Sequence, residues 1–235
     1  MFKVKCILIL ILKNILWKVD DTAGVLEIER AAKHMIVTDT PTFLCASPIN
    51  SLDTSFFFGL NMPQVCIARN PKDVAVSLYK HTTAIPAHDY RGNWDAFLEL
   101  FFKGHVCEGS WFDHTVGWWE ASQKSAHKDQ IFWIYFEDLK KDPAPVITAL
   151  AAFLGVACDA KVLSKVMHAS SFETMAESTA AQGNASAEAK SRFANGGHSG
   201  RWRKHFSEAQ NAAMDALYAA KFNERTALGL RFDFG

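Results

Sequence analysis

One junction constrains this chain more than any other stretch of it. Gln64 to Ala68 reads as a buried strand that runs through Arg69 directly into a well-marked helix start. Asn70 is a good N-cap, since its side-chain oxygen can accept a first-turn N–H. Pro71 suits the first helical position, where its fixed φ helps and its missing N–H costs nothing. Asp73 stands where a capping carboxylate belongs.

The same kind of local signal recurs along the chain. Ile131 to Phe136 is rich in β-branched and aromatic residues and is predicted to be a second strand. Asp142-Pro143 then opens a helix with Val146, Ile147, Leu150 and Leu154 on one face, and Gly155 closes it as a left-handed cap. Helices are also predicted at Trp94 to Phe102, Phe112 to Gln123 and Asp159 to His168. Ser207 with Gln210 forms a capping box for the last long one. Short apolar runs alternating with amphipathic helices predict an α/β layered fold with a mostly parallel sheet. A chain of 235 residues is sized for a single domain, 1–235.

Two segments stand apart. Met1 to Lys5 followed by the apolar run Cys6 to Leu12 has the outline of a signal peptide. Lys13 cuts the run short, however, and no small-residue cleavage site follows, so a buried helix or strand is expected. The run is too short to span a bilayer. Residues 176–192 lack large apolar side chains and are full of Ala, Ser, Gly and Asn, which predicts a mobile loop of the kind that forms lids. A solvated connection without a role fits the same composition.

Charge and cysteine content narrow the function classes. Lys plus Arg (25) balances Asp plus Glu (25), so no overall field points to nucleic acid or membrane partners. An anionic ligand would have to be held by a local cluster of donors. The five cysteines are scattered and contain no CxxC pair, which argues against zinc and against a disulfide framework, and fits a reducing, cytoplasmic setting. No metal is expected.

The strand-to-helix junction is also where chemistry would sit. It brings a guanidinium and the free N–H groups of a helix start to the carboxyl edge of a parallel sheet, a place that suits phosphate. Arg69 adds a planar fork matched to phosphate oxygens, and Ser77 a hydroxyl from the same helix. An Arg that only caps or pairs would also explain such a junction. The aromatic cluster Trp111, Phe112, Trp118 and Trp119 reads as core packing.

Several ordered segments between residues 64 and 206 resemble the cytosolic-type sulfotransferase family. Arg69-Asn70-Pro71-Lys72-Asp73-Val74-Ala75-Val76-Ser77 is similar to its nucleotide-binding segment. Phe101 to Trp119 resembles "F-x-x-G, then G-S-W-F-x-H, then W", and Tyr135 to Pro143 resembles "Y-E-D-L-K-x-D-P". Phe153-Leu154-Gly155, Ser170 to Met175 ("T-S-F-x-x-M") and Phe193 to Phe206 ("F-x-R-K-G-x-x-G-D-W-K-x-x-F") follow in order.

The resemblance implies a three-layer, P-loop nucleotide-hydrolase-like fold and a transferase of the sulfuryl group. The donor would be 3′-phosphoadenosine 5′-phosphosulfate (PAPS) and the acceptor a small molecule with a hydroxyl or amine. Arg69 and Ser77 would hold the 3′-phosphate, with Asn195, Gly196 and Gly197 closing over it. Phe172 would pack on the adenine and Ser170 would reach the same base. His88 would line the acceptor pocket. The family's glycine-rich 5′-phosphate loop, T-Y-P-K-S-G-T-T-W, has no match, which reads as an N-terminally incomplete fold. Its base histidine, in "S-H-L-P", meets only Cys45 to Asn50, so no catalytic residue is assigned. Asn195-Gly196-Gly197 stand where the pattern has the Arg-Lys-Gly that clamps the 3′-phosphate, and Arg192, Arg201 or Arg203 would be the substitutes for the two missing cations. The dimerisation stretch K-x-x-x-T-V-x-x-x-E survives only as Arg203, Ser207-Glu208 and Ala212, so a homodimer by that route is not expected. An inactive relative or fragment that at most binds the nucleotide is the alternative. A kinase would need a glycine-rich loop with a lysine and a magnesium-binding acid pair, and neither is found.

Overall fold

In a computed structural model of the chain, Gln64–Ala68 is the middle strand of a three-stranded parallel sheet. The structure describes residues 36–39, 64–106, 109–124, 128–155, 157–171, 173–174, 177, 199–222 and 230–234. Strand β1 (Ile36–Asp39) pairs with β2 (Gln64–Ala68), and β2 with β3 (Ile131–Tyr135), from Gln64 opposite Ile131 to Ala68 opposite Tyr135. The helices are α1 (Pro71–Ala84), α2 (Trp94–Phe102), α3 (Trp111–Gln123), α4 (Phe136–Lys141), α5 (Pro143–Phe153), α6 (Ala160–Ala169) and α7 (Glu208–Lys221). Short 3-10 turns lie at Pro86–His88 and Arg201–Lys204.

The two-residue period of the strands sorts the core into layers. Val65, Ile67 and Ile134 face α4, α5 and α6, where they pack with Phe136, Leu139, Ile147, Leu150, Val162 and Val166. On the other face Cys66 and Ile131 meet Trp118 and Ala121 of α3, and Trp133 and Tyr135 border a second core. That core joins Val74, Ala75 and Leu78 of α1 to Phe97 and Phe101, Trp111 and Phe112, and Met214. Each fully buried large side chain contributes about 1.5–3 kcal/mol, so both faces of the sheet are held by helices.

The predicted caps form. Asn70 accepts the Asp73 N–H at 2.8 Å, and Asp159 accepts the Val162 N–H at 2.8 Å. Ser207 and Gln210 close a complete capping box. Gly155 lies at φ +68°, the left-handed region in which a helix ends most easily on glycine. Trp111, Phe112 and Trp118 are buried, as a packing role requires. One strand boundary differs from the sequence reading: Phe136 leaves the strand and opens α4. Its ring points into the α5–α6 side of the core while Glu137 behind it turns toward α1.

Residues 230–234 run back across the second core. Phe232 sets its ring against Trp111, Tyr135, Tyr218 and Phe222, with centroids 5.4 to 6.1 Å apart. Arg231 pairs with Asp138 at 2.7 Å. This places the last backbone carbonyls beside the start of α1. Most of residues 176–192, and the N-terminal run Cys6 to Leu12, lie outside the described residues.

Candidate functional site

The carboxyl end of β2 delivers Arg69 and Asn70 into a buried polar knot. Asn70 is 0% exposed, Asp73 2%, Lys72 4%, Glu137 6% and Arg69 9%. Groups this polar survive burial only when their hydrogen bonds are made inside the protein. Asn70 donates through its backbone N–H and its Nδ2 to one oxygen of Glu137, both at 3.0 Å. The same Nδ2 reaches Asp73 at 2.9 Å and the carbonyl of Asp233 at 3.3 Å. Burial raises the Glu137 carboxyl above the usual carboxylate range, against the pull of Asn70's donors and of Arg69.

Asp73 is the hub of this knot. Beyond Asn70, it accepts the backbone N–H groups of Gly200 at 2.7 Å and Trp202 at 3.1 Å, and the Ser199 hydroxyl at 3.2 Å. Arg69 lies 3.8 Å away. A carboxylate with several such donors is a strong anchor. It fixes the turn that carries Arg201 against α1, with Gly200 in the left-handed region at φ +79°.

Lys72 points to the other side. It donates to Asn211 at 2.7 Å and forms an ion pair with Asp215 of α7. Its ammonium also sits 4.4 Å from the Trp202 ring centre and 4.9 Å from that of Phe234. Trp202 Nε1 and Arg203 in turn donate to the Phe234 carbonyl at 2.9 and 3.0 Å.

The sequence-predicted residues fall as follows. Arg69 stacks its guanidinium on the Phe136 ring, 4.4 Å from its centre, at the end of β2. Ser77 lies two turns into α1, half-buried, on the face of Asp73 and Lys80, with its hydroxyl unused by any described residue. Arg69 and Ser77 are therefore brought to one strand–helix unit. His88 ends the 3-10 turn after α1, and its ring lies 5.6 Å from that of His81. Ser170 caps α6, donating to the Val166 carbonyl at 2.7 Å. Phe172, Asn195, Gly196 and Gly197 lie outside the described residues, as do Cys45 to Asn50. Among the described residues no group of three or more His, Cys, Asp or Glu is placed to hold a metal ion.

Comparison with known proteins decides what this unit belongs to. The Sulfotransferase domain family matches residues 27–226. The chain belongs to the sulfotransferase family. It is 34% identical to mouse (Mus musculus) Sulfotransferase 1B1 over 188 residues, which cover 76% of this chain and 60% of that protein. It is 37% identical to human (Homo sapiens) Sulfotransferase 1C2 over 172 residues, covering 70% and 56%. The chain thus spans about 60% of the length of the curated relatives it matches. Mouse sulfotransferase SULT7A1, solved in complex with PAP, superposes at a TM-score of 0.63 with 26% identity, covering 88% of this chain and 82% of that one. Retinol dehydratase, solved with androsterone and the inactive cofactor PAP, superposes at 0.58 with 23% identity over 74% of this chain and 50% of that one, a likeness of fold alone.

In this member of the family the parallel sheet stands as the resemblance implied, and the capped start of α1 as the residues predicted. Glu137, Asp73 as a loop anchor, and the Lys72 aromatic box went unread in the sequence. The first two had a signal: both lie inside the matching segments, at positions the resemblance did not explain. No helix among the described residues is long and apolar enough to cross a membrane.

Proposed function

We propose that the chain binds PAPS and passes its sulfuryl group to a hydroxyl or amine of a small acceptor. One observation carries the reading. Arg69 and Ser77 stand on a single strand–helix unit, inside the segment that matches the family, with the Ser77 hydroxyl unused by any described residue. That set suits the 3′-phosphate of the nucleotide: Arg69 would offer its fork, and Ser77 its hydroxyl. The PAP bound by mouse SULT7A1 supports the same ligand class.

When bound, the nucleotide would supply the sulfuryl group: the acceptor's oxygen or nitrogen bonds to sulfur in line as the bond from sulfur to the 5′-phosphate oxygen breaks and 3′-phosphoadenosine 5′-phosphate leaves. The chain's own contribution is positioning and charge. Arg69 is pre-set by Phe136 below it and Asp73 beside it, so little side-chain freedom is lost on binding. Ser170 and Phe172 would meet the base, and Asn195, Gly196 and Gly197 would close over the phosphate. His88, paired with His81, would border the acceptor pocket. A cytoplasmic setting accords with Cys66 and Cys158, neither of which forms a disulfide among the described residues.

Two measurements test the reading. 3′-Phosphoadenosine 5′-phosphate (PAP) raises the melting temperature in proportion to the logarithm of its concentration, and Arg69→Ala abolishes the rise. Absence of any rise at millimolar PAP would sink the proposal. Transfer from radiolabelled PAPS to a panel of phenols, alcohols and amines then separates an enzyme from a nucleotide binder.

A further inference from the structure

We propose that Asn70 ties the carboxyl groups of Glu137 and Asp73 into a proton-operated latch on the turn from Ser199 to Trp202. The latch is closed while Glu137 holds a proton and loosens when the proton leaves; no nucleotide is needed for it. Its geometry is a shared donor. The Nδ2 of Asn70 lies 3.0 Å from Glu137 Oε1 and 2.9 Å from Asp73 Oδ2, so a single amide bridges two buried carboxyl groups. It also reaches the Ser199 hydroxyl at 3.4 Å and the Asp233 carbonyl at 3.3 Å. An amide with two hydrogens thus serves four acceptors.

Two carboxyl groups on one buried amide do not both stay charged, and their surroundings decide which one carries the proton. Asp73 has donors from Gly200, Trp202 and Ser199 besides Asn70, a set that suits a carboxylate. Glu137 receives both of its bonds from Asn70 on Oε1, and its Oε2 is buried with no hydrogen-bond partner among the described residues. A neutral acid fits that place better than a carboxylate. Burial raises the Glu137 pKa accordingly, against the pull of Asn70's donors, its own backbone N–H and Arg69. The charged groups that face it are Asp73 of α1 and Arg69 at the end of β2, whose guanidinium lies on the Phe136 ring. Others nearby are turned away: Asp138 pairs with Arg231, Lys72 with Asp215, Lys140 and Lys141 are exposed, and Asp233 presents a carbonyl to Asn70. Once Glu137 ionises, its charge strengthens its hold on the shared amide. Asp73, Ser199 and Asp233 lose their share of it. The new like charge also pushes the Asp73 carboxylate from the place where the Gly200 and Trp202 N–H groups meet it.

Amide hydrogen exchange in the full chain, labelled with nitrogen-15, tests the latch between pH 5 and pH 8, with rates corrected for the intrinsic pH dependence of exchange. In wild type the protection of the Gly200 and Trp202 amides falls about tenfold across that range, the ratio that one unit of pKa difference gives. The Val162 amide, capped by Asp159, keeps its protection and serves as the control for global opening. In Glu137→Gln, which retains an acceptor for Asn70 and cannot ionise, Gly200 and Trp202 stay level. A carbon-13 titration of the wild-type glutamate carboxyls needs no variant: one of them titrates above the ordinary glutamate range, with the same midpoint as the loss of protection. Level protection in wild type overturns the proposal, as does a set of glutamates that all titrate in the ordinary range. An equal fall in Glu137→Gln overturns it too and passes the effect to His205, which ends the same turn.

Discussion

The Asp73 carboxylate accepts the backbone N–H of Trp202 at 3.1 Å, across 129 residues of chain. Through that bond and the shorter one from Gly200, the first turn of α1 holds a segment that no sheet or helix would hold. Asp73 is also 2% exposed, so its removal would take the acceptor from the Gly200 and Trp202 backbone N–H groups and a carboxylate from beside Arg69. Asp73→Ala is expected to cost about 3–5 kcal/mol, and Asp73→Asn less, because the amide keeps one acceptor. Urea denaturation midpoints check both values. A loss in Asp73→Ala no larger than that of a surface substitution would remove the anchor role.

Glu137 makes stability fall as pH rises. Its folded pKa is raised above the unfolded value by burial, so the folded chain holds the proton longer. The contribution is fully present below the unfolded pKa and is lost as pH climbs through the folded one. Glu137→Gln keeps an acceptor for Asn70 and cannot ionise. Stability measured at pH 5 and pH 8 should therefore fall less in the variant than in wild type. Identical slopes would show that Asn70's donors cancel the burial penalty.

His114 acts in the opposite sense. Its ring is 7% exposed on α3, its Nε2 has no hydrogen-bond partner among the described residues, and burial pulls its pKa down from 6.5 to about 4. The neutral ring is what the core accepts. Stability is full above the unfolded pKa and is lost as pH falls from about 6.5 toward about 4, by about 3 kcal/mol in all. His114→Gln removes that component. Denaturation curves at pH 7 and pH 4.5 should show a smaller acid loss in the variant, whatever its absolute stability.

Lys72 joins α1 to α7 and to the chain's last residues. Lys72→Met keeps the apolar stem but gives up the ring contacts and the Asp215 pair, at an expected cost of about 1–2 kcal/mol. Lys72→Ala should cost more, since the stem's packing is lost too. Thermal denaturation of the two variants side by side separates charge from packing.

What the sequence disclosed here was local. Asn70, Pro71 and Asp73 mark a helix start within four residues, Gly155 a helix end in one, and Ser207 with Gln210 a capping box in four. Such signals depend on near neighbours and survive without tertiary information. Phe136 misled by one position, because an aromatic after five strand-formers reads as strand while the pairing ends at Tyr135 opposite Ala68. Strand β1 was unreadable for the same reason inverted: four residues have no period of their own, and only pairing with β2 defines them. The knot is more remote still. Asn70 and Glu137 are 67 residues apart, and neither residue type announces the other. The capped junction singled out Arg69 and Ser77, whereas Phe136, the ring under Arg69, comes from another element.

The carbonyls of Asp233 and Phe234 close this arrangement, one on Asn70 and the other on Trp202 and Arg203. A ribosome makes them long after it has made α1. Until they are made, the growing chain carries a strand, cap and helix whose polar knot lacks these two acceptors. Contacts of such long sequence separation also form late in refolding from denaturant. The polar knot at the start of α1 is thus completed only by residues made well after it, the Asp233 carbonyl following Asn70 by 163 residues.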